Sequence, residues 1–256
     1  MHMKYALAAE KKKIHIFIDK PLSHNSKNVK KLEKIVIKNK IVFMVGYQMR
    51  FLKSLNFIKN QIEKGKLGNL CGANIYNGEF LPDYHKYEDY KKTTMAQKKL
   101  GGGVINSQIH ELDYCIYLFG KPKKVYAFGG KLSNLNIDVE DYVNSLINFE
   151  KDNISVNLTL DFFQRPPIRN MLITGTKKTL FWDYYKNEVV INDYLLNKNV
   201  KKNFGRFIRN EMFENQIKYF FNLIKLKKTK NISDLKNSIE SLNLALKIKA
   251  NLSKLN

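Results

Sequence analysis

The sequence predicts a mixed architecture: a short piece of parallel α/β structure, a partial Rossmann-type βαβ, followed by an α/β domain with a large, mainly antiparallel sheet. Three observations carry this. Two apolar runs near the amino terminus, Ile14–Ile18 and Ile41–Gly46, flank one amphipathic helical segment with short links, which is the pattern of a βαβ unit. Both runs are apolar throughout, as strands buried on both faces are. Beyond Gly120 the chain turns to repeated strands joined by hairpin-type links such as "EKDN", "GTKK" and "YKNE".

Taken in order, Met3–Lys12 reads as the end of a helix and Ile14–Ile18 as a strand. Asn25–Asn39 places Val29, Leu32 and Val36 at helical spacing, and Ile41–Gly46 is the second strand. Leu52–Lys64 carries Leu55, Ile58 and Ile62 on one face, with Gly65 as its stop. Leu70–Phe80 reads as a strand. Val104–Phe119 reads as one helix, with Ile105, Ile109, Leu112, Ile116 and Phe119 as its apolar stripe. Strands follow at about Lys124–Lys131, Tyr142–Phe149, Ile154–Phe163, Arg169–Thr174, Thr179–Asp183 and Glu188–Asn192. Two helices, Arg209–Leu226 and Ser233–Leu252, close the chain, with "KLKKTK" (Lys225–Lys230) as the turn between them.

Composition excludes several classes. Hydrophobic residues make up 44% and aromatics 12%, which is globular composition. No apolar run is long enough for a membrane span, and Met1–Lys13 lacks a secretory apolar core. The net charge of +22 comes almost entirely from Lys mixed with Asn and Ile along the whole chain. A nucleic-acid surface is richer in clustered Arg with interleaved aromatics, so no nucleic-acid partner is expected. Cys71 and Cys115 have no metal or redox spacing, and the five histidines form no ligand set. No metal is expected, and the reducing cytoplasm is the default compartment.

Four constellations can carry chemistry. Asp19-Lys20-Pro21 closes the first strand, at the edge where ligands bind in parallel sheets. A Lys there can hold a substrate oxygen, or it can simply be solvated. "GGGVINSQIHELD" (Gly101–Asp113) joins three glycines, able to approach a ligand closely, to a helix with Asn106, His110, Asp113 and Tyr117 on one polar stripe. His110 is a candidate general base, because imidazole titrates near working pH. "GEFLPDYHKYEDYK" (Gly78–Lys91) crowds aromatics with Asp83 and His85, a composition that suits sugar rings and ordinary loop packing alike. In "FFQRPP" (Phe162–Pro167), Arg165 can meet an anion or sit at a subunit contact.

These pieces in this order resemble the Gfo/Idh/MocA oxidoreductases, the glucose–fructose oxidoreductase and inositol dehydrogenase family. "YALAAEKKKIHIFIDKPLS" is similar to that family's segment ending in Glu-Lys-Pro, and "VGYQMRF" (Val45–Phe51) to its last nucleotide-domain strand. "LGGGVINSQIHELDY" is similar to its catalytic helix and "ITGTKKTLFWD" to its late hairpin. The resemblance implies NAD or NADP as cofactor and a secondary hydroxyl of a sugar, cyclitol or nucleotide sugar as the reacting group. It implies catalytic roles for Lys20, His110 and Asn106, cofactor contacts for Asp19, Lys20, Pro21 and Gln48, and substrate contacts for Tyr47, Asp83, His85 and Arg165. Two positions depart from the family: Asn106 stands where a carboxylate is common, and Asp19 where Glu is commoner.

The family's Gly-rich G-x-G-x-x-G turn is not found in these 256 residues. Residues 1–48 therefore read as the carboxyl-terminal part of a Rossmann dinucleotide-binding domain, with roughly 70–90 residues of its first half missing. Residues 49–256 read as a substrate-binding and oligomerisation domain. On this reading the chain is amino-terminally truncated and by itself binds NAD weakly or not at all. Its partners are a sugar-type small molecule and a second copy of the chain. The alternative is a non-catalytic sugar-binding or dimerisation module.

Overall fold

The computed structural model describes residues 2–229 and 235–254. Helix α1 (His2–Lys11) leads into strand β1 (Ile16–Ile18); α2 (Val29–Lys38) follows, and β2 (Phe43–Val45) pairs with β1 in parallel. Phe43 and Val45 point into the same apolar cluster as Val29, Leu32 and Val36 of α2. Val42 and Met44, which alternate with them, point the other way onto Phe220 and Leu223. Both faces of the strand pair are covered, which is why both runs are apolar throughout. The strands are shorter than the runs. Ile14 donates its backbone N–H to Ala9 O and is half exposed, so it belongs to the helix exit.

After a 3-10 turn at Gln48–Phe51 comes α3 (Lys53–Glu63), then β3 (Leu70–Gly78). The expected helix Val104–Phe119 is two helices, α4 (Val104–Ser107) and α5 (Ile109–Phe119), broken at Gln108. Seven strands follow: β4 (Pro122–Gly130), β5 (Tyr142–Phe149), β6 (Ser155–Asp161), β7 (Ile168–Gly175), β8 (Lys178–Asp183), β9 (Glu188–Asp193) and β10 (Lys198–Asn203). Then come α6 (Arg209–Lys225), α7 (Leu235–Ala250) and β11 (Leu252–Lys254).

The nine strands of the large sheet run in the order β10-β9-β8-β7-β3-β6-β5-β4-β11. Neighbours are antiparallel except β3 with β6 and β4 with β11. Two of these strands were not legible in the sequence. All six residues of β10 are exposed, so no apolar alternation marks it. Leu252, expected to end the last helix, instead begins β11. Lys225 ends α6. Lys230 and Ser233, assigned to the inter-helix turn and to the start of the last helix, lie outside the described residues.

Alternation along the strands sorts the two faces of the sheet. The inner face carries Ala73, Ile75, Val156, Leu158, Leu160, Met171, Ile173 and Trp182, and the helices cover it. Trp182 is fully buried, meets the Tyr114 ring edge-on at 6.0 Å and donates its indole N–H to Ser54 Oγ of α3 at 3.0 Å. The outer face is open. It carries a polar ladder, Asn144 to Asn157 and Thr159, beside Tyr126, Phe128 and Leu146, which are 61%, 55% and 49% exposed.

One buried ion pair ties the parallel unit to the helix layer. Arg50, in the turn after β2, donates Nε and Nη2 to the two Asp113 oxygens of α5, each at 2.8 Å. Ser241 of α7 donates to the same carboxylate at 2.8 Å. Two parallel N–H···O bonds fix direction as well as distance. Arg50 and Asp113 are 3% and 0% exposed, so Asp113→Ala takes the carboxylate away from a buried guanidinium. It is expected to destabilise the fold by about 3–5 kcal/mol in urea unfolding. Ser241→Ala, which removes one hydrogen bond, is expected to lose only about 1 kcal/mol. Equal losses would mean that the ion pair adds no more than a single hydrogen bond does.

Candidate active site

Lys20 stands at the carboxyl end of β1 and Tyr47-Gln48 at that of β2, the edge where parallel sheets bind ligands. The helix break explains how Lys20 is held. In an unbroken helix the Ser107 carbonyl would accept from the Glu111 amide. Gln108 has φ −98 and ψ 35, and the Glu111 amide bonds to Gln108 O instead. The freed Ser107 carbonyl accepts from Lys20 Nζ at 2.6 Å. Burial lowers the Lys20 pKa from its ordinary value, against the opposing pull of the nearby Asp19 and Glu111 carboxylates.

His110 lies in the first turn of α5, three residues beyond that carbonyl. Its ring is buried, and neither nitrogen has a hydrogen-bond partner among the described residues. Tyr47 packs edge-on against it, with ring centres 6.1 Å apart. Burial first, then the positive charges of Lys20, Arg169 and Arg209, hold its pKa well below the ordinary histidine value. Burial and these neighbouring charges thus favour the neutral imidazole.

The wall of the site comes from the sheet. Arg169 of β7 donates Nε to Glu111 Oε1 at 2.6 Å and stacks against Tyr184 at 4.9 Å. Gln108 donates to Tyr84 Oη at 3.0 Å and to Asp161 O at 2.9 Å. Gln108 Oε1 and Glu111 Oε2 are buried without hydrogen-bond partners among the described residues. Burial raises the Glu111 pKa against the pull of Arg169. Sequence reasoning did not single out Glu111, Gln108, Tyr84 or Arg169. A signal existed for one of them: Arg169 falls in inward register with Met171 and Ile173, and an inward charge requires a partner.

The other predicted residues lie as follows. Asn106 is buried, and its amide nitrogen donates to Gly101 O at 2.7 Å, bracing the glycine loop. The three glycines make room for the chain itself rather than for a ligand. A Cβ at Gly102 would lie 2.5 Å from the Met95 carbonyl, one at Gly101 would meet His24, and one at Gly103 would strike Glu140. The expected polar stripe is divided: Asp113 holds Arg50, and Tyr117 donates to Asn56 at 2.9 Å. Asp19 is exposed and accepts from the Lys20 amide; Gln48 and Pro21 are half-buried. Asp83 and His85 are exposed on the loop after β3, with His85 bonded to Tyr87. Arg165 is exposed and stacks on Phe80 at 3.7 Å. Among the described residues, no group of three or more His, Cys, Asp or Glu could hold a metal ion, and no helix is long and apolar enough to cross a membrane.

Comparison with known proteins agrees with this architecture. The model of the GFO/IDH/MocA C-terminal domain matches residues 56–181, and the chain belongs to the Gfo/Idh/MocA oxidoreductase family. It is 25% identical over 138 residues to 2,7-anhydro-N-acetylneuraminate hydratase of Escherichia coli, covering 52% of this chain and 35% of that protein. It is 26% identical over 132 residues to myo-inositol 2-dehydrogenase of Thermotoga maritima, covering 51% and 37%. These matches span little more than a third of the length of the curated relatives. Among solved structures, levoglucosan dehydrogenase in complex with NADH and levoglucosan superimposes with a TM-score of 0.86 at 18% identity, over 98% of this chain and 75% of that one. UDP-N-acetylglucosamine 3-dehydrogenase of Acidithiobacillus ferrooxidans gives 0.78 at 18%, over 98% and 74%. These likenesses show the fold.

The depressed His110 pKa has a consequence for stability. Below about pH 6.5 the unfolded chain protonates this histidine and the folded chain does not. Stability contributed by the neutral ring is therefore full above that pH and is lost as the pH falls, by about 1.4 kcal/mol per unit for this one group. His110→Phe is expected to flatten the stability profile between about pH 7 and 5 by that slope, measured by urea melts. Parallel profiles would show that the imidazole titrates freely in the folded protein.

Proposed function

We propose that the chain carries the reacting groups of an NAD(P)-dependent oxidoreductase acting on a secondary hydroxyl of a sugar, cyclitol or nucleotide sugar. The observation that carries this is Lys20, at the carboxyl edge of the parallel strands, donating to the Ser107 carbonyl, three residues before His110. His110 accepts the hydroxyl proton at a free ring nitrogen. Lys20 donates to the same oxygen as it becomes an alkoxide. Tyr47 holds the imidazole plane from behind. Residues 1–48 act as cofactor-side structure and 49–256 as substrate-side structure.

The residues present fit one end of a dinucleotide. Asp19, Lys20, Pro21 and Gln48 lie together at the ends of β1 and β2, in place to hold a nicotinamide and its ribose. No Gly-rich turn among the described residues grips a pyrophosphate. Bound there, the nicotinamide supplies the hydride acceptor.

The open sheet face supports a homo-oligomer. Tyr126 and Leu146 are cross-strand partners, and with Phe128 they make an exposed apolar patch beside the asparagine ladder. Sedimentation equilibrium at tens of micromolar is expected to show a dimer or larger, and Leu146→Glu to shift it toward monomer. A clean monomer for the unaltered chain would refute this.

Chemistry is tested in a fusion that supplies a Gly-rich dinucleotide-binding half. There Lys20→Met is expected to abolish most turnover while leaving NAD affinity nearly intact, since the charge lies beside the hydride-transfer point. The loss should be on the order of 3 kcal/mol, a hundredfold or more in rate. His110→Ala should slow turnover by roughly 10². Asn106→Asp separates two histories: a gain means a carboxylate was lost here, and no gain means this site works with Asn. Full activity in Lys20→Met would place the active site elsewhere.

A further inference from the structure

Glu111 directly follows the proposed base, and Arg169 reaches it from the sheet. Arg169 Nε and Nη2 both bond to Glu111 Oε1, at 2.6 and 2.5 Å, and Glu111 is fully buried. Arg169 is itself fixed: it is paired across strands with Asn77 of β3 and backed by the Tyr184 ring. The pair therefore clamps the first turn of α5, which carries His110, onto the sheet.

Its charges also matter to their neighbours. His110 is faced by Lys20 from the loop after β1, by Arg169 from β7 and by Arg209 from the start of α6. Lys20 is faced by Asp19, by Glu111 and Glu79, and by Arg169. An unbalanced Arg169 would repel a proton from both reacting groups; an unbalanced Glu111 would attract one.

We propose that Glu111 and Arg169 are the positioning pair of this site, a clamp that fixes the first turn of α5 on the sheet and whose opposite charges offset one another beside Lys20 and His110. This rests on the reading of Lys20 and His110 as the reacting groups. Neither residue of the pair reaches the reacting atoms; each acts through the groups it adjoins. A clamp of purely mechanical value would make the sign of the charge irrelevant.

The test uses the 256-residue chain without cofactor or substrate, so its failure leaves the oxidoreductase reading standing, and failure of that reading appears only in turnover. The Lys20 titration midpoint is read from the pH dependence of its acetylation rate by acetic anhydride, with mass spectrometry of its peptide. The His110 midpoint is read by long-range proton–nitrogen NMR. Glu111→Gln is expected to lower the Lys20 midpoint by about one unit, a tenfold change in its protonation equilibrium. Arg169→Gln should raise it by a similar amount and raise the His110 midpoint with it. The double variant should return Lys20 close to its original value. Shifts of the same sign in both single variants, or none, would overturn the proposal. Should Glu111→Gln not fold, Arg169→Gln against Arg169→Lys decides. A rise in the first without one in the second supports the charge role, and equal shifts refute it.

Discussion

Asp113 is the point on which the placement of the site depends. Its carboxylate is the only acid of α5 turned toward the parallel unit, where Arg50 takes both oxygens and Ser241 adds a third bond from α7. Burial works against the Arg50 charge, but the adjoining Asp113 outweighs it and the guanidinium stays charged. Two desolvated charges hold one another only in good geometry, so the pair is unforgiving of displacement. Because Arg50 follows β2 by a few residues, this bond sets how the edge of the strand pair sits over α5. The Lys20 ammonium then falls within reach of the Ser107 carbonyl.

Glu111 completes the constraint from the opposite flank. Residues two apart on a helix point about 200° apart, so Glu111 and Asp113 face different partners. One acid is bound to the sheet through Arg169, the other to the parallel unit through Arg50. Helix α5 is pinned between them, with His110 in the first turn. The break at Gln108 belongs to the same design. It frees a carbonyl for Lys20, and it lets Gln108 reach the end of β6 at Asp161. A continuous helix would have satisfied Ser107 internally and left Lys20 without that anchor.

Periodicity showed most of the fold because most elements here bury one face. Tyr142–Phe149 alternates cleanly between core and surface, and β5 spans those same residues. The pattern was silent where burial is absent, as in β10, or where a backbone dihedral decides, as at Gln108. Lys20 and His110 stood out because a charge ending a buried strand and a histidine on a buried helix are both unusual. The glycine run misled for a physical reason. Close approach is visible in sequence, but the thing approached is not, and here it is the Met95 backbone and the Glu140 and His24 side chains. Partners such as Arg169 and Glu111, 58 positions apart, are invisible to any local pattern.

The distribution of unmet polar groups points the same way as the ion pairs. His110 leaves both ring nitrogens free, Gln108 its carbonyl oxygen and Glu111 one carboxylate oxygen, all without solvent contact. Asn77 Oδ1, cross-strand from Arg169, is also unpaired. Each buried unpaired group costs about 1–3 kcal/mol relative to a bonded one. A core built for stability alone would carry such groups singly, or replace them with apolar side chains. Here four residues with unmet polar atoms gather at one end of β3 and β7, under the first turn of α5. Most are acceptors, and the Lys20 ammonium nitrogen already donates to the Ser107 carbonyl. The ion pairs that pin α5 therefore leave the turn carrying His110 with buried polar atoms that the described residues do not satisfy.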